Sequence, residues 1–153
     1  MSLFLFIHIL GVIFLLGNAF TVIWKLRADY SKDVALKFQT AQNIMILDYL
    51  FTLPSIVMIL VSGHVLAHQA GYSVFSWNWL GISYGLFVMS GVLWMVALLP
   101  LQTKMIKQGK LSFEQKTLTP EFVKASRQWN LYGVLATVTP IAAMILMVWK
   151  PGV

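Results

Sequence analysis

Four stretches of the chain, residues 3–24, 44–67, 79–101 and 129–149, run almost without a charged side chain. Each is long enough to cross a bilayer, which takes about 20 apolar residues at about 1.5 Å of helical rise apiece. They predict an all-α integral membrane protein, a four-helix bundle with short loops. The connections leave no room for a separate soluble domain, so residues 1–153 are expected to form one transmembrane domain. Composition agrees: 59% hydrophobic and 10% charged residues leave too little polar surface to clothe a soluble globule of this size.

The distribution of charge orients the bundle. The net charge of +6 comes from basic residues in two loops. Lys25, Arg27, Lys32 and Lys37 follow the first run; Lys104, Lys107, Lys110, Lys116, Lys124 and Arg127 lie between the third and fourth; residues 69–78 carry no charge. That is a topology signal rather than a nucleic-acid footprint, and the positive-inside rule puts the two basic loops in the cytoplasm, giving an N-out, C-out topology. The first run could imitate a signal peptide at Gly17-Asn18-Ala19. It has no basic start and an overlong apolar core, so it is expected to be retained.

Smaller signals refine the picture. Residues 26–43 suit either a short amphipathic surface helix presenting Val34, Leu36 and Phe38 or a solvated connector. Thr119-Pro120-Glu121 has the cap, proline and acid of a helix start. Trp24, Trp77, Trp79, Trp129 and Trp149 fall at span ends, where indoles anchor at the headgroups. Gly81 and Gly85, with Ser90 and Gly91 beyond them, form a small stripe suited to helix packing. Pro151-Gly152-Val153 closes the fourth helix.

Candidate chemistry is sparse. Cysteine is absent, which excludes disulfides and thiolate sites, and no nucleophile with a base, phosphate loop or carboxylate pair is present. Three histidines remain: His8, His64 and His68. His8 lies about 8 Å into the first helix and His64 about 6 Å before the second one exits, so the two share a level near the outer face. His64 and His68 are spaced i,i+4 on one face. Imidazoles from two helices suit a haem iron or a transition metal, whereas a histidine bonded to a backbone carbonyl is the plain alternative. Gly11 and Gly63 remove side chains where a flat macrocycle or a neighbouring helix could approach.

At the opposite face Asp48 is expected to pair with Lys25, Arg27 or Arg127, as a topological clamp or as a site for a proton, an anionic headgroup or a propionate. Pro54 is expected to kink the second helix. Asn18 and Thr139-Pro140 are expected to be satisfied by local hydrogen bonds.

Phe6-Ile7-His8-Ile9-Leu10-Gly11, Gly17, Lys25-Leu26-Arg27, and Leu53-Pro54 leading to Ser62-Gly63 resemble a family of small bacterial integral membrane proteins known only as a domain of unknown function. More distantly, the early histidine, the glycine and the following arginine are similar to HemJ-type protoporphyrinogen oxidases and CopD-type membrane proteins. The first of these likenesses implies haem b near the outer face, held by His8 and less securely by His64, with Arg27 as the following basic position. The second implies copper handling, for which Met58, Met89, Met95, Met144 and Met147 offer thioethers without forming a cluster. The expectation is a bacterial inner-membrane protein that binds haem b through His8 and His64, with His68 in reserve, and transfers electrons or oxidises a quinol or porphyrinogen. The alternatives are a cofactor-free subunit that assembles with another membrane protein or with itself, and a copper carrier or permease.

Overall fold

The computed structural model describes residues 3–152 as four long helices: α1 (Leu3–Tyr30), α2 (Val34–Gln69), α3 (Trp79–Gln115) and α4 (Pro120–Trp149). Each contains one expected apolar run, and no strand occurs among the described residues. Ile13, Phe20, Leu50, Val57, Val96 and Val138 are all more than half exposed on the outer surface. A continuous apolar coat of that kind matches hydrocarbon rather than water.

Toward the basic end the helices outrun their apolar cores. Residues 26–43, expected as a short surface helix or a solvated connector, instead finish α1 and begin α2, with only residues 31–33 between them. Asp33 makes so tight a turn possible: its carboxylate accepts from the amides of Ala35 (2.9 Å) and Leu36 (3.3 Å) and caps α2. Phe38 packs on α3 at Gly109, where an added Cβ would lie 2.8 Å from its ring. The helix start expected at Thr119 is present, with the Thr119 hydroxyl accepting from the Phe122 amide and Pro120 in the first turn. α4 stops at Trp149, and Lys150 takes the left-handed cap before Pro151.

Two wide turns set the internal geometry. In α2 the Leu53 amide reaches back five residues to the Asp48 carbonyl, and in α3 the Leu99 amide does the same to Trp94. Each π-turn is followed at once by proline, Pro54 and Pro100, in matching octets: Leu47-Asp48 to Leu53-Pro54, and Leu93-Trp94 to Leu99-Pro100. Proline donates no hydrogen bond and its ring crowds the carbonyl four residues back, so the preceding turn widens. The kink expected at Pro54 thus takes the form of a wide turn, and it lets α2 change partners. Its part beyond the wide turn, 53–69, lies along α1; the part before it, 34–47, lies along the 99–115 portion of α3, which also packs on α4. The halves of α2 and α3 away from the basic end scarcely approach each other, so that end consists of two hairpins meeting at a seam.

The small stripe of α3 is borne out in part: the Ser90 hydroxyl donates to the Ala136 carbonyl of α4 (2.7 Å), but its glycines do not meet a neighbouring helix. An added Cβ on Gly81 would meet the Ser76 carbonyl oxygen at 1.9 Å, so this glycine admits the 73–78 loop rather than a neighbouring helix. Gly85 and Gly91 have nothing within 4 Å of such a Cβ. The close helix contact is instead at Gly11, 2.9 Å from Ile59 Cγ1 by the same construction. The tryptophans also divide. Trp24, Trp77 and Trp149 are exposed, as anchors should be, whereas Trp79 is buried with Ala67, Val74 and Leu80, and Trp129 is 2% exposed and belongs to the core with Trp94, Leu98 and Phe122.

Candidate functional site at the bundle centre

Asp48 heads the wide turn of α2 and is 6% exposed. Oδ1 accepts from Asn18 Nδ2 of α1 (2.7 Å) and from the Thr52 hydroxyl (2.9 Å). Oδ2 accepts from Gln102 Nε2 (2.9 Å) and Trp94 Nε1 (3.2 Å), both of α3. Four donors from three helices meet the acceptor capacity of one carboxylate. All four are neutral. The expected ion pair does not form: among the described residues the one salt bridge joins Lys25 to Asp29, while Arg27 and Arg127 are exposed. Nor is Asn18 locally satisfied, since its amide bridges Asp48 and Thr52, 2.7 Å from each. Thr139 does bond locally, to the Leu135 carbonyl.

Beside Asp48 lies a cavity of about 70 Å³ walled by all four helices. Asn18, Thr52, Ser90 and Thr137 give it polar surface, and Trp94, Trp129 and Phe87 give it aromatic walls. That volume holds a few waters, each needing about 10–15 Å³ of this measure. Two buried polar atoms close by have no partner among the described residues, Trp129 Nε1 and Gln102 Oε1.

Lys25 is the second buried charge, although its place in the sequence suggests only a loop cation. It folds back to 1% exposure and spends its three protons on Asp29 (2.6 Å), Ser126 (2.6 Å) and Asn130 (3.0 Å). Asn130 Nδ2 returns a bond to Asp29 (2.7 Å), and Lys37 donates to the Asp29 backbone carbonyl (2.7 Å). The ammonium also stands 5.5 Å from the centre of the Trp129 ring. A cavity of about 200 Å³ opens beside this network among Asp29, Lys37, Ser126, Arg127 and Asn130.

The histidines lie at the seam between the two hairpins, at the end opposite the basic one. His8 and His64 do line one cavity, of about 40 Å³, with Gly63, Tyr84, Phe87 and Met147. His68 is not in it, and both His64 and His68 are exposed. The His8 ring meets the Ser62 hydroxyl through Nδ1 (3.1 Å) and also hydrogen-bonds the Ile59 backbone, which is the plain alternative to a metal-ligating role. The space does not fit a macrocycle. The room made by Gly63 is filled by the His8 ring itself, 2.9 Å from a Cβ built there, and the room made by Gly11 is filled by Ile59. Among the described residues no three metal-binding side chains converge.

Fold and site together define a four-helix integral membrane protein with a buried acidic centre. The chain belongs to the family described as predicted integral membrane protein DUF2269, whose match covers residues 2–151. No curated protein and no solved structure matches the chain, and the HemJ-type and CopD-type likenesses rest on the quoted residues alone.

Proposed function

We propose that the protein binds and releases a proton within the membrane, with Asp48 as the proton-binding group. The observation that carries this reading is a carboxylate held by four neutral donors, with no cation beside it, next to a polar cavity reached by all four helices. An unpaired charge in that setting is costly, and intramembrane acids facing a bundle interior are characteristic of proton and ion pathways. A proton removes that charge, and because the four donors already fill the carboxylate's acceptor sites one of them must yield: Gln102, whose Oε1 is buried without a partner among the described residues, accepts the carboxyl O–H once its amide turns over. The wide turn at Asp48 adds support, because π-turns concentrate where a helix serves a function rather than plain packing. Isotope-edited infrared spectra test this: a carboxylic C=O band that comes and goes with pH should vanish in Asp48→Asn. A band unchanged by that substitution, or no such band, sinks the reading.

Haem b at the outer seam is the second reading, for electron transfer or oxidation of a quinol or porphyrinogen in a bacterial inner membrane. It is favoured by His8 and His64 lining one cavity. It requires the two hairpins to part, since the present space is far below the several hundred Å³ a ligand of that size occupies. A visible spectrum of protein made with ample haem supply decides it: a Soret band lost in His8→Ala supports haem, and a colourless folded protein excludes it.

A further inference from the structure

The central cavity and the basic-end cavity border one stripe of α4. Ser126 and Asn130 line the basic-end cavity, Thr137 lines the central chamber, and Trp129 stands between them as part of the chamber wall. The stripe from Ser126 to Thr137 spans about 16 Å along the helix axis. Along it stands the Trp129 indole, held beneath the Lys25 ammonium and carrying a buried N–H with no acceptor among the described residues. A water in the chamber is the acceptor such a donor lacks. In the opposite direction Phe87 walls both the chamber and the seam cavity, with Ile56 and Pro140 on the chamber side and Ile59 and Leu80 on the other, and the buried hydroxyls of Ser55, Ser62 and Ser83 are spent on backbone carbonyls of their own helices.

We infer that Asp48 exchanges its proton with the basic face alone, through waters in the central chamber, and that the Lys25-pinned indole of Trp129 is the gate. This rests on the reading of Asp48 as the proton-binding group. The step is a simple transfer: a hydronium in the chamber loses a proton to Asp48, an O–H bond forms on the carboxyl, and neutral water remains. Lys25 acts as a positioning residue, holding the indole closed through the Asp29, Ser126 and Asn130 network.

The absence of cysteine makes the test clean, because a single introduced thiol is the only one present. Thr137→Cys protein, reconstituted with known orientation, is exposed to silver ions from one face at a time, and the modified fraction is read by mass spectrometry. The expected result is reaction from the basic face, faster by about tenfold when Trp129→Ala is added, as lowering an opening cost by about 1.4 kcal/mol would give. Trp129→Phe keeps the ring and should keep the slow rate. Tyr84→Cys at the seam serves as the fold control, and Lys25→Met, which unpins the indole without deleting it, replaces Trp129→Ala if that control changes. Reaction from the outer face, reaction from neither face, or rates indifferent to Trp129 and Lys25 overturn the route. The two claims fail separately: silver reaching Thr137→Cys from outside overturns the gate and leaves the Asp48 infrared result standing, while an infrared band indifferent to Asp48→Asn overturns the proton site whatever silver does.

Discussion

Replacing Lys25 by methionine removes one charge from a network in which it is the most buried member. Methionine keeps most of the alkyl volume, so the cost comes from lost polar contacts rather than from a new hole. Three acceptors, at 2.6, 2.6 and 3.0 Å, lose their shared donor. Breaking a fully buried pair costs about 3–5 kcal/mol. Here the stranded partner is Asp29, whose side chain is 22% exposed and keeps the Asn130 amide, so part of that penalty is recovered in solvent. The expected loss is about 2–3 kcal/mol, roughly 30- to 150-fold in the folding constant. Asp29→Asn should cost more, because it strands a lysine that is 1% exposed, and the double variant should cost less than the sum of the two. Unfolding in mixed micelles followed by tryptophan emission is the assay, and Trp129, beneath Lys25, is a local reporter. The reasoning is refuted if Lys25→Met lies within about 0.5 kcal/mol of the parent, the range of an ordinary surface change, or if Asp29→Asn is the milder substitution.

Other substitutions probe the glycines and the topology. Gly81→Ala places a methyl against the Ser76 carbonyl and should destabilise by about 1–3 kcal/mol in the same unfolding assay, because backbone rather than a flexible side chain must move. Gly85→Ala meets nothing and should be neutral or stabilising by up to about 1 kcal/mol; equal costs at the two sites would restore a helix-packing role for the pair. Gly11→Val drives a branched side chain into Ile59 and Met58 and should loosen the α1–α2 hairpin, read as protease cleavage at lower denaturant. For topology, an impermeant maleimide on intact cells should label Ser73→Cys and spare Lys116→Cys until the membrane is opened; the reverse pattern inverts the bundle.

Much of the architecture is legible in the sequence because membrane spans announce themselves by length and apolarity alone. The cap at Thr119 is legible too, being a local signal. Partners far apart in sequence are not. Asn18 and Asp48 are 30 residues apart and Lys25 and Asn130 are 105 apart, and nothing in helical periodicity says which face meets which. Lysine just past an apolar run reads as a loop cation, so the folding back of Lys25 has no sequence sign except the Ser126 and Asn130 that receive it. Trp129 reads as an interfacial anchor for the same reason: its position marks a span end, yet α4 begins nine residues earlier and carries it inward. Facing along α2 is also hidden. One extra residue in a wide turn rotates the remainder of the helix by about 100°, so the relation between Asp48 and His64 does not follow from an ideal helix. The paired octets ending in Pro54 and Pro100 are the sequence clue to both turns.

The glycines carry the same lesson. Gly63 lies beside His64 in sequence, but the side chain it makes room for is His8 from the other helix. The cofactor slot that small residues suggest is thus occupied by protein.

The measurement that bears most directly on the central claim is a difference titration of purified protein in detergent, counting protons bound by the parent and by Asp48→Asn over the pH range in which both remain folded. The account predicts one proton fewer per molecule for the variant, within a single titration step. Identical proton counts would contradict it and leave Asp48 as a structural acceptor for Asn18, Thr52, Trp94 and Gln102.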